Sequence, residues 1–262
     1  MSSIFNNNIW LRQKCFVTPQ ADFQHHNFDP SKVDLGRACL VAFSSDLFSR
    51  LSEALPTTDE DFTWPYHTTP LKLCTAPGGK RFALHFPSYG SVRIANSLEQ
   101  LKACGIKYVF GLGLGGSLQE DIAIGDVFLL EGAVRGDGTS HYYAPDEYPA
   151  VPDFALTSQL REALEANHEK YHLGLSFGTD ALYREEESLI GQLSELGVIS
   201  IDLESSAFLT VGRRLGLKCA WVGVVSDRLV GAKHEGTIHS GHVMEALSRL
   251  SGYIVQIIDQ SL

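Results

Sequence analysis

The chain has 262 residues, of which 44% are hydrophobic and 20% are charged, and its formal net charge is −10. A chain of this length can bury one sizeable core in one or two domains, and its acidic balance disfavours nucleic acid as a partner. It lacks both an apolar run of the roughly 18 residues that span a membrane and a signal peptide at residues 1–10, so we expect a soluble, cytoplasmic protein.

A polar arm over residues 1–35, which contains His25 and His26, precedes one α/β domain over residues 36–262. Apolar runs predict strands, and apolar residues at helical spacing predict helices. The predicted strands cover residues 38–43, 82–86, 107–112, 127–134, 173–177, 198–201 and 219–226. The predicted helices lie at residues 46–55, 95–101, 156–164, 204–215 and 239–258, with Gly105 and Gly216 as stop signals. Residues 56–79, rich in Thr, Pro and Asp, are predicted as a long excursion.

This alternation of strands and helices indicates an α/β domain with helices on both faces of a mostly parallel sheet. Ligands in such folds collect at the carboxyl ends of the strands. Four segments fall at predicted strand ends: residues 111–117, residues 135–143, residues 178–187, and residues 202–204 together with Ser226 and Asp227.

Two of these segments are loops whose role stays open. Residues 111–117 hold four glycines in seven positions, which allows a ligand to approach backbone N–H groups; the alternative is a tight turn between two strands. Residues 135–143 are polar and aromatic, and the alternative there is a structural loop held by an interaction of Arg135 with Asp137.

The other two segments carry carboxylates. The acidic run at residues 185–187 is typical of a solvated helix start, since carboxylates are favoured at helix N-termini. Asp202 and Glu204, two residues apart, point to the same side of an extended segment. Glu204 can instead begin the following helix, and Asp227 can instead be an N-cap.

Cysteine and histidine spacing gives no metal signal. None of the five cysteines forms a C-x-x-C pair, which argues against zinc and against a disulfide scaffold. The ten histidines lack ligand spacing. We therefore expect neither a metal nor another cofactor.

Several motifs in order resemble the nucleoside phosphorylase-I family, which includes purine nucleoside phosphorylases, uridine phosphorylases and methylthioadenosine nucleosidases. The family patterns V-[DE]-M-E-x-x-A and S-D match residues 201–207 and 226–227, and G-x-x-G-[GS]-L and I-x-x-G-D-[VI] match residues 113–118 and 122–127. The uridine-phosphorylase-like branch is closest: its A-V-R-x-[DE]-G-T-S and T-D-A-x-Y-R-E match residues 133–140 and 179–185. The resemblance extends from about residue 38 to the C-terminus.

The resemblance implies a single-domain, three-layer α/β sandwich, with a central, largely mixed and partly closed β-sheet flanked by helices. It also implies a homo-oligomer, either a dimer or a trimer of dimers, with sites near subunit interfaces. A neighbour's histidine reaches the sugar in this family, which gives His25 or His26 one candidate role beside that of a surface feature.

The resemblance further implies cleavage of the N-glycosidic bond of a nucleoside-like small molecule, with positive charge developing on the sugar and negative charge on the base. It assigns Glu204 to the ribose hydroxyls and Asp227 to protonating or hydrogen-bonding a purine-like base. Leu203 replaces a methionine that packs on the sugar. The remaining residues expected around the substrate are Gly113, Leu114, Gly115, Thr179, Asp180, Arg184, Asp202 and Ser226.

The match fails at the phosphate site. Where the family has G-D-P-x-R after its first strand, residues 44–48 read SSDLF, and the family's arginine and hydroxyl at the glycine turn are Gly111 and Leu114 here. A buried dianion without charge partners costs several kcal/mol. Arg50 and Arg93 lie near the right segments and are candidates for a relocated anion site.

Three functions therefore remain open. The first is nucleosidase-like cleavage without inorganic phosphate, although the extra catalytic glutamate of the family's nucleosidases has no clear match in residues 1–35. The second is a nucleoside phosphorylase with a relocated phosphate site. The third is a repurposed family member that binds or transforms another small ligand in the old pocket. Phosphate dependence of base release separates the first two.

Overall fold

A mixed β-sheet runs through the centre of the computed structural model, which describes residues 15–57, 62–230, 233–236 and 241–262. The strands are β1 (Ala38–Ala42), β2 (Leu71–Thr75), β3 (Arg81–His85), β4 (Tyr108–Ser117), β5 (Val127–Gly136), β6 (Tyr171–Thr179), β7 (Val198–Asp202), β8 (Lys218–Val230) and β9 (Lys233–Gly236). The helices are α1 (Pro19–His25), α2 (Ser45–Ala54), α3 (Ser91–Ala103), α4 (Phe154–Ala166), α5 (Glu187–Glu195), α6 (Ser205–Arg214) and α7 (Gly241–Ser261). Short 3-10 turns cover Pro30–Lys32, Ser140–Tyr142 and Leu182–Arg184.

The sheet has the order β2-β3-β1-β4-β7-β6-β5-β8-β9, and an additional β4–β8 pairing closes part of it. Strands β4, β7, β6, β5 and β8 thereby form a five-stranded ring. The β4–β7 and β5–β8 pairings are antiparallel, whereas β4–β8, β5–β6 and β6–β7 are parallel. The expectation of a mixed, partly closed sheet is confirmed.

Helices cover both faces of this sheet. Helices α2, α4 and α7 pack on one apolar cluster, and helices α1, α3 and α6 pack on a second. Every residue of β1 is buried, as expected for a strand covered on both faces. The three-layer α/β architecture of a single domain is therefore confirmed.

Local signals account for several helix boundaries. The Ser44 hydroxyl accepts the N–H of Leu47 at the start of α2, and the Asp153 carboxylate accepts the N–H of Leu156 at the start of α4. Side-chain acceptors of this kind satisfy backbone donors that have no partner within the helix. Gly105 and Gly216 follow α3 and α6 with φ of 89° and 70°, the left-handed conformation expected of such stop signals.

Three sequence predictions are corrected by the structure. Strand β4 does not end before the glycines but continues through them to Ser117, so the tight turn expected at residues 111–117 is wrong. Strand β8 does not end at Ser226–Asp227 but extends to Val230, where β9 pairs with it. The predicted excursion at residues 56–79 contains β2, which pairs antiparallel with β3.

The described part of the N-terminal segment, which begins at residue 15, packs onto the sheet layer. Phe23 of α1 is buried against Trp64 and Phe28, with ring centroids 6.1 Å and 5.1 Å away. His26 meets the Tyr66 ring edge-on at 5.1 Å. Residues 1–14 of the predicted arm and residues 239–240 of the predicted last helix lie outside the described residues. Within the described chain, no helix is both long and apolar enough to cross a membrane.

Candidate active site

Asp202, at the end of β7, binds the first turn of α6. Its Oδ1 accepts the backbone N–H groups of Glu204 at 2.8 Å and Ser205 at 2.6 Å, and the Ser176 hydroxyl donates to its Oδ2 at 2.5 Å. Burial raises the pKa of the Asp202 carboxyl, against the lowering effect of these donors. The structure therefore gives Asp202 the role of fixing the β7–α6 junction that presents Glu204.

Glu204 is buried and holds a backbone group of another element. Its Oε1 accepts the N–H of Gly90 at 2.6 Å, at the residue that precedes α3. Burial, with a smaller contribution from the Asp202 charge, raises the pKa of Glu204 to about 8. The residue precedes α6 without capping it through its side chain, so this carboxylate is available for a task other than helix capping.

Asp227 lies within β8, so the N-cap interpretation of this residue is wrong. The Ser226 hydroxyl donates to its Oδ1 at 2.5 Å, and its Oδ2 lies 3.0 Å from Nε2 of His234 on β9. A Cβ on Gly116 of β4 would stand 3.1 Å from the same Oδ2. The Asp227 carboxylate therefore lies against a strand position that only glycine leaves open.

Strand register brings the two carboxylate segments together. Gly116 of β4 is paired on one side with Ile201 of β7 and on the other with Asp227 of β8. Adjacent strands lie about 4.8 Å apart, and Glu204 follows Ile201 by three residues. Asp227 thus lies beside Gly116 on one side of β4, and the strand that leads to Glu204 lies beside it on the other.

A cleft of about 520 Å³ opens on this side of the ring. Apolar side chains form its walls, and Glu185 and His234 also line it. Leu229 and Val230, which follow Asp227 on β8, are part of the same lining. Its lining residues are Leu118, Glu120, Glu185, Glu187, Ile190, Gly191, Ser194, Leu229, Val230 and His234. The cleft is large enough for a planar ring system.

Glu185 of this cleft is half-buried, unlike the exposed Glu186 and Glu187 that begin α5. Burial and the charge of Asp227 raise the pKa of Glu185 to about 7, while His234 acts in the opposite direction. The solvated helix start predicted for residues 185–187 is therefore correct for the last two residues and wrong for Glu185. The T-D-A-x-Y-R-E match includes Glu185 but not its two neighbours, whereas no local sequence signal points to His234.

Thr179 and Asp180 make hydrogen bonds that hold loops in place. The Asp180 carboxylate accepts the Ser91 hydroxyl and, at 2.7 Å, the N–H of Gly138. The Thr179 hydroxyl accepts the N–H of Ala181 at 3.1 Å. These bonds tie the loops after β5 and β6 to the start of α3, near the Gly90–Glu204 contact.

Arg184 and Arg135 also have protein partners. The exposed Arg184 guanidinium pairs with Glu186 at 2.5 Å. Arg135 donates to the Ser140 hydroxyl and to backbone carbonyls of residues 144, 145 and 148. Asp137 binds Ser140 and Ser206, so the predicted loop is held in place by these contacts, with no ion pair formed between Arg135 and Asp137.

Aromatic packing occupies the space beside the β4 glycines. A Cβ on Gly111 would lie 2.6 Å from Trp221 Cε3, and one on Gly113 would lie 2.5 Å from Cζ2 of the same indole. Trp221 stacks on Phe43 with ring centroids 4.3 Å apart. These glycines, with Gly115 against the Ile201 carbonyl, serve close packing of the strand.

The positions considered for an anion site differ in their exposure to solvent. Phe48 is buried, and half-buried Leu114 packs on the core. Arg50 and Arg93 are exposed on α2 and α3. Leu203 is half-buried and Ser226 is buried. In the described part of the chain, no three His, Cys, Asp or Glu side chains converge as metal ligands.

Buried carboxylates at one end of a partly closed mixed sheet, beside a cleft, form the candidate site of this α/β protein, an arrangement typical of small-molecule binding. Residues 37–261 match the family model of the phosphorylase superfamily. The chain belongs to this superfamily, which confirms the resemblance found in its motifs.

Relatives in this superfamily are similar over part of their length. A guanosine phosphorylase of Halorubrum lacusprofundi is 31% identical over 147 residues, covering 56% of this chain and 61% of the relative. A uridine phosphorylase of Haemophilus influenzae is 32% identical over 146 residues, covering 50% and 58%. A uridine phosphorylase of Thermococcus kodakarensis is 31% identical, covering 52% and 54%. The chain thus spans about three fifths of the length of the curated relatives it matches.

Proposed function

We propose that this protein cleaves the N-glycosidic bond of a nucleoside, with water rather than inorganic phosphate as the nucleophile. One observation carries the proposal: Gly116 of β4 pairs on one side with Asp227 and on the other with Ile201, three residues before Glu204. Membership of the phosphorylase superfamily supports the class of reaction.

The geometry suits the charge separation of that reaction. A buried carboxylate at Glu204 binds sugar hydroxyls and faces the positive charge that develops on the ring. Asp227 lies on the opposite side of β4, beside the cleft of about 520 Å³, which accommodates the base. Asp227 supports a purine as the base, because the resemblance to the family assigns this residue to contact with a purine-like base.

Aromatic packing supports the choice of water. Phosphorolysis needs cations or several donors to hold a dianion. At position 111 the indole of Trp221 fills the space that an arginine side chain would need, and Phe48 and Leu114 offer no donor. Backbone N–H groups alone bind an anion weakly.

The second candidate, a phosphorylase with a relocated phosphate site, is favoured by the names of the relatives. Arg93 is its best cation, because it lies in the first turn of α3, three residues after the Gly90 N–H that binds Glu204. Arg50 on α2 is the alternative cation.

The test is incubation of the purified protein with guanosine, inosine and uridine, with and without phosphate, followed by identification of the sugar product. We expect free ribose at a rate independent of phosphate. Saturable phosphate dependence with ribose 1-phosphate as product would overturn the water step and favour the Arg93 site. Ligand binding without base release under either condition would favour a repurposed pocket.

We also propose that the protein is a cytoplasmic homo-oligomer, a dimer or a trimer of dimers. All five cysteines are free thiols, three of them buried, which suits a reducing compartment. Light scattering at micromolar concentration tests the assembly, and a monomer would contradict it.

A further inference from the structure

The leaving base of the proposed reaction needs an acid that protonates it. Asp227 is the obvious candidate, but both of its carboxylate oxygens already have partners: the Ser226 hydroxyl at 2.5 Å and His234 Nε2 at 3.0 Å. A general acid needs a proton on an oxygen that faces the substrate. These contacts suit Asp227 to orienting its surroundings.

Glu185 is placed differently. It is half-buried in the lining of the cleft, its neighbours Glu186 and Glu187 are exposed, and among the described residues no hydrogen bond engages its carboxyl. It follows the 3-10 turn Leu182–Arg184, which brings the chain from the end of β6 to the cleft.

The geometry points to Glu185 as the general acid that donates a proton to the leaving purine. This assignment rests on the proposed function. In the step, the C1′–N9 bond breaks and its electron pair enters the purine, while the Glu185 O–H proton passes to N7. A water oxygen forms the new bond to C1′, and the proton that this water loses passes through solvent to the Glu185 carboxylate. Nucleoside and water thus yield ribose and the free base, and the acid is restored.

The charged groups around Glu185 favour retention of its proton at neutral pH. Asp227 on β8 raises its pKa, and His234 on β9 lowers it by a smaller amount. Glu120 and Glu187 line the same cleft, and like charges also disfavour another carboxylate. With burial, the result is a pKa of about 7, which is well matched to proton donation near neutral pH.

The test compares guanosine with 7-methylguanosine at pH 6 in wild type, Glu185→Gln and Glu195→Gln. The base of 7-methylguanosine already carries a positive charge and leaves without a proton donor. We expect Glu185→Gln to lose roughly 10²-fold or more of guanosine cleavage and to retain 7-methylguanosine cleavage. Glu195→Gln removes an exposed charge of α5 outside the lining of the cleft and should retain both activities.

The other outcomes would overturn either the acid role of Glu185 alone or the proposed function as well. Equal losses on both substrates, or none on either, would overturn the acid role of Glu185 while the proposed function stands. Wild-type cleavage of uridine but of neither purine substrate would also overturn this inference alone. No cleavage of any nucleoside by wild type would overturn the proposed function and the acid role with it.

Discussion

The indole of Trp221 occupies the space where a side chain at position 111 would stand, since a Cβ on Gly111 would be 2.6 Å from its Cε3 and 3.3 Å from Phe208 Cε1. Trp221 is fully buried and meets Phe208 edge-on at 5.4 Å. The buried indole cannot move away from an added side chain, so Trp221 in this position requires glycine at position 111. This pair replaces the arginine that the family motif has at this position.

Gly111→Ala is therefore expected to destabilise the protein by about 1–3 kcal/mol, the usual cost of overpacking a filled core. The matched control is Gly252→Ala on the exposed face of α7, where nothing lies within 4 Å of the added Cβ. That change should stabilise the helix by about 0.5–1 kcal/mol. Urea unfolding measures both, and equal effects would contradict the packing argument.

Glu204→Gln should keep the fold and lose most of the turnover. The amide oxygen still accepts the Gly90 N–H, but the charge that binds the sugar hydroxyls is gone. The loss of charge-assisted hydrogen bonds costs about 1.5–3 kcal/mol, or roughly 10- to 100-fold in kcat/KM. Steady-state kinetics measures it, with the exposed Glu195→Gln on α5 as control. Wild-type turnover in Glu204→Gln would remove this residue from the site.

Stability should fall as pH rises towards 8, because the pKa of Glu204 is about 8 in the folded protein against an ordinary value of 4.5. The folded state then binds more protons than the unfolded state between these values, so the free energy of unfolding decreases with pH. Glu185, with a pKa of about 7, also makes the free energy of unfolding decrease as pH rises.

Burial lowers the pKa of His85 to about 4, so its titration makes the free energy of unfolding rise with pH up to pH 6.5. The measurement for Glu204 therefore belongs between pH 6.5 and 8. Over that range wild type should lose about 1–2 kcal/mol more than Glu204→Gln. Denaturant unfolding of both proteins at each pH gives the difference. Parallel pH profiles would show that Glu204 does not titrate in this range.

Asp227→Asn should move the pH dependence of purine release. The negative charge of Asp227 raises the pKa of Glu185, so its removal lowers that pKa and shifts the alkaline loss of activity to lower pH. The pH–rate profile for guanosine tests this, with Asp121→Asn on an exposed turn as the control for a lost charge. A lower melting temperature with an unmoved profile would instead indicate a purely structural residue.

Sequence patterns predicted most of the fold because its elements are locally marked. Buried β1 is a continuous apolar run, and α4 buries Leu156, Leu160 and Leu164 on one face as expected. Strand β2 escaped prediction because its five residues lie among turn-forming residues and depend on pairing with β3. The glycines of β4 suggested a turn. In the local sequence, a glycine that makes room for the indole of a residue distant in the chain looks the same as a glycine that permits a bend.

The site was predicted in part for the same reason. Glu204 and Asp227 stand in motifs, and strand register places Asp227 and Ile201, three residues before Glu204, beside Gly116. Glu185 is the last residue of the T-D-A-x-Y-R-E match, whereas His234 stands in no motif. The proximity of both residues to Asp227 arises from the loop after β6 and the return of β9. Whether a glutamate is solvated or half-buried depends on elements distant in sequence, which no local pattern reports.

The hydrogen bond from Gly90 uses one of the two carboxylate oxygens of Glu204, Oε1, and does not engage the other. Helix α3 has no side-chain cap of its own at this end, and its Gly90 N–H holds the carboxylate in one orientation. Two adjacent hydroxyls can both donate to a carboxylate held in this way, whereas a single hydroxyl makes one hydrogen bond fewer. Ribonucleosides should therefore be bound in preference to 2′-deoxyribonucleosides, and the discrimination would originate in a backbone amide that never touches the sugar.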